Sequence, residues 1–340
     1  MSIFRCSARD QFLDAYDAIA DHIVTHGYAI VEAWDAEAVT LKEISEHFGR
    51  VQSHIRADAN GVVGISTEVV VNREWENFRS EYTGVSAEEF LPHTDGTFVH
   101  GLVREDDDYV ELFPPKMLVL QCCQNAAVGG GNVLIDGQRV YRDLAKQKPQ
   151  YLDALSTKGC VTYCRDDQIA LHRAVFETLD DGTIMLRFRY DHAAYVADWA
   201  LDAFHAVQKD YFANPHYQQQ VKLAKSQILL CDNYRMLHGR DAFSTDQTEQ
   251  KRSLHRMWLA RDRSPTLHNA ADQHREKRAL KRFQAYGVHP ASKAYAATAP
   301  LSLGIRKSGA AASIAPRPRA QQPLQLVLDR GARCLLTAFE

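Results

Sequence analysis

The chain has few cysteines, no large excess of positive or negative charge, and no long apolar segment. Each of these absences excludes a class of protein. Seven cysteines among 340 residues are too few for a disulfide-stabilised scaffold. No run of about 18 apolar residues occurs, so the sequence predicts no membrane-spanning helix. A net charge of −3 argues against a chain that as a whole neutralises nucleic-acid phosphates. We therefore expect a globular protein whose partners include neither nucleic acid nor membrane.

The same features predict a cellular compartment. Residues 1–10 contain no apolar secretory signal, and the number of cysteines is odd. We therefore expect reduced thiols and a cytoplasmic location. Cys160 and Cys164 lie four residues apart, but no second pair of metal ligands lies nearby at zinc-finger spacing. We expect both to be structural thiols.

The spacing of apolar residues predicts the helices and strands. Ser7 and Asp10 form a capping pattern, and an apolar stripe follows at helical spacing as far as Gly27, a helix stop. The predicted helices after it cover about 36–48 and 198–212, the second capped by Asp198. The predicted strands cover 28–31, 62–65, 68–71, 117–124, 132–135, 159–163, 184–190, 227–231 and 254–259. Short strands with few βαβ units favour a mainly β fold with helical cover, a barrel or jelly roll, over a doubly wound sheet.

The end of the chain differs in composition from the rest. A polar, basic helix is predicted over about 274–283, and residues 296–323 are rich in Ala, Ser, Pro and Gln. The composition predicts one large domain over residues 1–295 and a flexible, low-complexity tail over 296–340. Four basic residues of this tail could bind an anionic surface, although a solvated tail explains them more simply: Arg306, Lys307, Arg317 and Arg319.

The sharpest local signal for chemistry is the pair His93 and Asp95. Residues i and i+2 of a strand project from the same face, so this pair can present an imidazole and a carboxylate to one metal ion. About two H-x-[DE] pairs are expected by chance in a chain of this composition, and two occur. The other, His274 and Glu276, lies in a helical polar segment that would separate the two side chains. We therefore select His93 and Asp95.

Two further segments complete a candidate site. His238 follows an apolar strand and precedes Gly239, a position from which a second imidazole can reach a metal. Arg252 and Arg256 share one face of a predicted strand further on. A guanidinium on a core strand is costly unless it meets an anion, and its planar fork suits a carboxylate. A structural ion pair is the alternative explanation for each arginine.

Together these motifs resemble one enzyme family. The H-x-D pair, the glycine-rich segment 128–136, the D-N-x-R-x-L-H-G-R segment and an arginine 14 residues after His238 are similar to non-haem Fe(II)/2-oxoglutarate oxygenases. Within that group the chain resembles the branch of taurine dioxygenase, γ-butyrobetaine hydroxylase and clavaminate synthase, over about residues 28–260. The resemblance implies a double-stranded β-helix, the jelly roll of this family, and an oxidoreductase.

The resemblance also assigns roles to single residues. It implies that His93, Asp95 and His238 are both the metal ligands and the catalytic centre. Arg252 would bind the distal carboxylate of 2-oxoglutarate, and Arg256 would contact substrate or cosubstrate. Fe(II), 2-oxoglutarate and O₂ are the implied cofactor and cosubstrates. Some relatives have a threonine, which helps to bind 2-oxoglutarate, where this chain has Val133, and this chain lacks that hydroxyl.

The reaction and substrate expected from the resemblance are less specific. Because Asp95 keeps the carboxylate that family halogenases lack, hydroxylation of a small polar molecule with release of succinate and CO₂ is expected. Desaturation, epoxidation and cyclisation use the same chemistry. Arg189 and Asp191 lie where relatives place substrate contacts, and their opposite charges suit an amino acid, free or carrier-bound. An acidic segment at 105–108 resembles a lid that would favour a cationic group, or is a solvated charge run.

Two other classes of function stay open at this point. A zinc hydrolase or a non-catalytic metal-binding barrel could use two histidines and an aspartate, but neither would need Arg252. A binding module that acts through the basic tail is the third class. Nothing in the sequence indicates the oligomeric state.

Overall fold

The computed structural model describes residues 2–52, 54, 56–66, 87–105, 108–165, 168–191, 193–244 and 251–260. The α-helices are α1 (Arg9–His26), α2 (Ala38–Glu46), α3 (Gly137–Gln147), α4 (Pro149–Ser156) and α5 (Leu201–Ala206). The strands are β1 (Ile3–Arg5), β2 (Tyr28–Glu32), β3 (Val51–Gln52), β4 (Val63–Ser66), β5 (Phe90–His93), β6 (Gly101–Glu105), β7 (Asp108–Leu112), β8 (Met117–Gln124), β9 (Asn132–Asp136), β10 (Val161–Arg165), β11 (Gln168–Arg173), β12 (Phe176–Thr178), β13 (Ile184–Leu186), β14 (Ala194–Val196), β15 (Gln218–Val221), β16 (Gln227–Asp232), β17 (Met236–Arg240) and β18 (Ser253–Leu259).

Two sheets form the framework of the fold. The larger has the order β1-β2-β16-β8-β18-β3, with β4 also paired to β18, and the smaller has the order β15-β9-β17-β5. Leu120 and Leu229 of the larger sheet share a hydrophobic cluster with Leu134 and Leu237 of the smaller sheet. The two sheets therefore pack on a common core, as in a jelly roll.

Helices cover the other face of the larger sheet. Val31 and Ile228, which alternate with core-facing residues on β2 and β16, belong to a second cluster together with Phe12 of α1 and Leu41 of α2. Alternation along a strand sends successive side chains to opposite faces, so this sheet is buried on both sides. The predicted jelly roll with helical cover is confirmed.

Helix α1 ends where the sequence predicts and begins differently. Gly27 has φ of 82°, in the left-handed region, and its N–H donates to the carbonyl of Ile23 (2.7 Å). At the start, however, Ala8 is the capping residue and no side chain caps the helix. The backbone N–H of Ser7 donates instead to Oε1 of Gln11 (2.7 Å), so the predicted capping role of Ser7 and Asp10 is wrong.

The middle of the chain departs from the predicted elements in two places. The predicted strand over 184–190 is β13 alone, because the following residues turn toward the smaller sheet, where the N–H of Thr94 donates to the carbonyl of Phe188 (2.8 Å). The predicted helix over 198–212 is a 3₁₀ turn, then α5, then a π-helical turn at Val207–Phe212. Ala197, not Asp198, precedes its first residue as the cap.

Several predictions lie outside the described residues: the strand at 68–71, the helix at 274–283 and the tail at 296–340. The boundary between a domain at 1–295 and that tail stays a prediction. Cys160 and Cys164 are buried free thiols. Within the described ranges, no helix has the length and apolar character needed to cross a membrane.

Candidate metal centre

Two strands of the smaller sheet bring the two predicted histidines face to face. His93 ends β5 and His238 lies in β17, and the two residues are direct partners in this antiparallel pair. Opposed residues of antiparallel strands have neighbouring side chains. Here the imidazole centroids are 4.3 Å apart and both residues are buried.

Asp95 completes a three-residue cluster just beyond the end of β5. Its Oδ1 lies 3.6 Å from Nε2 of His93 and 3.7 Å from Nε2 of His238. One ligand atom from each residue lies within 4.8 Å of the other two, and the described ranges contain no other such group of three. Asn233 fixes the backbone here: it accepts from the N–H of Asp95 (2.8 Å) and donates to its carbonyl (3.0 Å).

The electrostatics of the cluster suit a divalent cation. Burial, and then His238, lower the pKa of His93 to about 4, so the ring is neutral at physiological pH. Its Nδ1 donates to the carbonyl of Leu91 (2.9 Å), which leaves the lone pair of Nε2 for a metal. Burial alone would raise the pKa of Asp95, but the charge of Arg256 and, after it, the neighbouring His238 and His93 lower it well below its usual value. Two imidazoles and a carboxylate on one side of a site are the donor set that non-haem Fe(II) takes.

The second oxygen of Asp95 is held by the protein. Oδ2 accepts from Nη1 of Arg256 (3.2 Å) and from Nε1 of Trp258 (2.7 Å), both on β18. Nη2 of Arg256 lies 3.2 Å from Nε2 of His54. Burial, and then the charge of Arg256, lower the pKa of His54 to about 3, so its neutral ring accepts this hydrogen bond. Arg256 thus contacts the candidate ligand itself, whereas we predicted a substrate or cosubstrate contact.

Arg252 is a buried cation without a carboxylate partner in the described part of the chain. Only 6% of the residue is exposed, and no salt bridge joins it to an acidic side chain there. Its stem packs on Gly130, where φ is +71° and a Cβ atom would lie 3.3 Å from Cδ of Arg252. Its guanidinium lies 5.7 Å from the ring of Phe243. Burial lowers the pKa of Arg252 to about 10, so it stays charged at neutral pH and would be stabilised by an anion.

Comparison with known proteins identifies the family. The family model "Taurine catabolism dioxygenase TauD, TfdA family" matches residues 8–258, well over half of the chain. The chain belongs to this family. The matched range contains all three residues of the cluster, Arg252 and Arg256.

A curated relative and two solved structures agree with that assignment. Human gamma-butyrobetaine dioxygenase is 27% identical over 172 residues, which cover 46% of this chain and 44% of the relative. The alignment thus spans less than half the length of that relative. An asparagine oxygenase in complex with Fe(II), 3-hydroxyasparagine and succinate is 13% identical with a TM-score of 0.56, over 74% of this chain and 82% of its own. The non-haem iron oxygenase OrfP, in complex with Fe and alpha-ketoglutaric acid, is 16% identical with a TM-score of 0.51, over 73% and 78%. These two structures show the fold.

Val133, which lacks the hydroxyl that the resemblance led us to consider, is buried. Val133 lies in β9, opposite Gly239 of β17, and is 6% exposed. A second buried arginine, Arg240, lies near Arg252, and the two guanidiniums lie 4.8 and 5.7 Å from the ring of Phe243. Arg240 also donates to the carbonyl of Glu88. Sequence reasoning did not select Arg240, although its position two residues after His238 on one strand was a usable signal.

The predicted substrate residues Arg189 and Asp191 bind each other. Nε of Arg189 donates to Oδ2 of Asp191 (2.7 Å), and Nη2 contacts the same oxygen. Arg189 is buried near the cluster: its charge contributes to the lowered pKa of His93, after burial and His238. The pair is therefore close to the candidate centre, but the carboxylate of Asp191 already has a cationic partner. Asp106 and Asp107 of the acidic segment lie outside the described residues.

Trp258, His54 and Asn233 are functional candidates whose contacts around Asp95 and Arg256 the sequence analysis did not predict. The sequence did contain a signal for Trp258. It follows Arg256 by two residues on a strand, so the two side chains lie on the same face and can contact the same group. Asn233 belongs to the D-N-x-R-x-L-H-G-R segment, but its contact with Asp95 spans 138 positions and has no local signal. His54 had no signal, because its partner Arg256 lies 202 positions away.

Proposed function

We propose that this protein is an Fe(II)- and 2-oxoglutarate-dependent dioxygenase that hydroxylates an unactivated C–H bond of a small polar substrate and releases succinate and CO₂. One observation carries the proposal. A buried His-Asp-His cluster with ligand atoms within 4.8 Å of one another lies in a TauD-family jelly roll that also buries an arginine without a carboxylate partner among the described residues. Family membership alone would not assign these residues.

The residues have distinct roles in this proposal. His93, Asp95 and His238 hold Fe(II), and Arg252 binds the distal carboxylate of 2-oxoglutarate through its planar guanidinium. Iron bound there supplies the redox chemistry that couples decarboxylation of 2-oxoglutarate to oxidation of the substrate. The buried surroundings of the cluster exclude water, which strengthens these charge interactions.

For the substrate we propose an amino acid, free or carrier-bound. Arg189 is buried near the cluster and is the candidate partner for its carboxylate, with Asp191 holding the guanidinium in place. The asparagine oxygenase complex contains an amino-acid product, which supports this choice by analogy of fold only. The six described cysteines are free thiols, in keeping with the reducing cytoplasm that we propose as the location.

Other oxidation products and another metal can be distinguished from this proposal by experiment. Desaturation, epoxidation and cyclisation need the same residues and differ only in the product. A zinc hydrolase would use the same three ligands but would give the buried charge of Arg252 no role. It would also work without oxygen.

The test starts with the metal and the cosubstrate. We expect the purified protein to develop a weak visible charge-transfer band when Fe(II) and 2-oxoglutarate are added without oxygen. With oxygen and a panel of amino acids, it should release succinate. His93→Ala should abolish both signals, and His26→Ala, a change at an exposed helix residue, should abolish neither.

The proposal fails if the unaltered protein gives no band and no succinate with any amino acid, or if His93→Ala keeps full activity. Activity without oxygen, restored by zinc, would favour the hydrolase.

A further inference from the structure

The two oxygens of the Asp95 carboxylate have different surroundings. Oδ1 lies 3.6 and 3.7 Å from the Nε2 atoms of the two histidines. Oδ2 points the other way, to Nε1 of Trp258 at 2.7 Å and Nη1 of Arg256 at 3.2 Å. One oxygen is therefore satisfied by the protein, and the other is left for the centre of the cluster.

Trp258 is fixed on more than one side. It lies in β18, opposite Leu118 of β8 and Gln52 of β3, and is 4% exposed. The guanidinium of Arg256 lies 5.3 Å from its ring centroid. The ring of His54 meets it edge-on, with centroids 4.6 Å apart and an interplanar angle of 88°. The indole cannot turn away from Asp95 without displacing these neighbours.

An indole N–H is a donor only and carries no charge. It can therefore satisfy Oδ2 without adding a second positive charge beside the metal site. If this N–H were removed, the carboxylate could rotate and offer both oxygens to the metal. The second oxygen would then occupy a position at the metal that the cosubstrates need. Hydrogen-bond partners behind a metal ligand commonly change metal affinity by about 10–100-fold when they are lost.

We infer that Trp258 is a positioning residue that holds Asp95 to a single ligating oxygen, Oδ1, with Arg256 as its charged partner. This inference rests on the proposed function, since it assumes that the cluster binds a metal. It concerns how Asp95 is presented, so it is tested by metal binding and spectroscopy.

The experiment replaces Trp258 with 3-benzothienylalanine, which keeps the shape of the indole but has sulfur in place of N–H. Co(II) serves as the probe, titrated into the protein without 2-oxoglutarate. We expect roughly tenfold weaker Co(II) binding, because Asp95 loses a partner that orients it. We also expect a changed visible d–d spectrum, because the carboxylate changes its mode of binding. Trp258→Phe should behave in the same way. The same replacement at Trp199, which is 56% exposed, should change neither quantity.

The outcomes separate this inference from the proposed function. If the unaltered protein binds Co(II), His93→Ala removes that binding and the Trp258 isostere leaves both affinity and spectrum unchanged, the positioning role is wrong and the proposed function stands. If the unaltered protein does not bind Co(II) at the cluster, both are wrong. A melting temperature equal to that of the unaltered protein shows that an isostere variant is folded, so a loss of affinity then belongs to the missing N–H.

Discussion

At the scale of single residues, Arg252 holds a charge that the described fold does not neutralise. A buried cation without a carboxylate is destabilising, and in the proposed function the anion that compensates it is 2-oxoglutarate. We predict that Arg252→Gln raises the KM for 2-oxoglutarate about 10–100-fold, the equivalent of one or two lost charge-assisted hydrogen bonds. Steady-state succinate release measures this.

The stability of the same variant distinguishes binding from structure. Without 2-oxoglutarate, Arg252→Gln should melt at the same temperature as the unaltered protein or higher, because it removes an uncompensated buried charge. The neighbouring Lys251→Ala, at an exposed position, is the control and should change neither KM nor melting temperature. A variant that melts much lower while KM stays constant would make Arg252 a structural residue.

The sequence predicted which residues form the site better than it predicted which residues they contact. The structure brings together His93, Asp95 and His238 as their spacing and the family resemblance indicated, and their role as ligands stays a prediction. The partner of Arg256 could not be foreseen, because it depends on Asp95, 161 positions away along the chain. Arg189 and Asp191 were selected as separate substrate contacts, and only their folded geometry shows that each already binds the other.

At the scale of elements, the close approach of β5 and β17 sets the distance between the two histidines. Gly239 lies in β17 directly after His238, and a Cβ atom there would lie 2.8 Å from the carbonyl oxygen of Phe90 and 3.1 Å from the nitrogen of Pro92. Both atoms belong to the backbone of β5, so they cannot rotate away. Only glycine allows this pairing.

We therefore predict that Gly239→Ala separates the strands and weakens metal binding at least tenfold. The crowding should also lower the free energy of unfolding by about 1–3 kcal/mol. Gly64→Ala, in β4 of the larger sheet, is the matched control, because a Cβ atom there has nothing within 4 Å. Isothermal titration with Co(II) and denaturant unfolding measure the two effects, and equal metal affinities for both variants would contradict the prediction.

Elements with a strong local signal were predicted well, and elements set by tertiary contacts were not. The end of α1 follows from Gly27, since its left-handed conformation is a property of the residue. The early end of β13 follows from hydrogen bonds between Phe188 and Thr94, 94 positions apart, which no local pattern contains. The π-helical turn at Val207–Phe212 keeps the apolar side of a helix and so cannot be told from α-helix by spacing.

At the scale of the whole molecule, the sequence predicted the architecture because the alternation of apolar residues decides which faces are buried. Ile30 of β2 joins the core between the sheets, and Val31 joins the cluster under α1 and α2. Such two-sided burial is what a sheet between a second sheet and a helical layer requires.

Three histidines with lowered pKa values, His54, His93 and His100, make the stability of the whole molecule depend on pH. Burial is the largest cause in each case: it lowers the pKa of His54 to about 3 and of His93 to about 4, and that of His100 well below its usual value. In the unfolded chain these groups titrate near pH 6.5. Between about pH 6.5 and 4, the unfolded state therefore binds protons that the folded state does not, so stability falls as the pH falls.

We predict a loss of about 1.4 kcal/mol per pH unit for each such histidine in this range, and no loss from them above about pH 7. The metal-free protein should thus melt at much lower temperature at pH 5 than at pH 7. His100→Gln should reduce this difference, because glutamine can accept from Arg173, which lies 3.0 Å from the His100 ring, and does not titrate. Parallel melting curves for His100→Gln and the unaltered protein across pH 5–7 would show that His100 takes up its proton in the folded state.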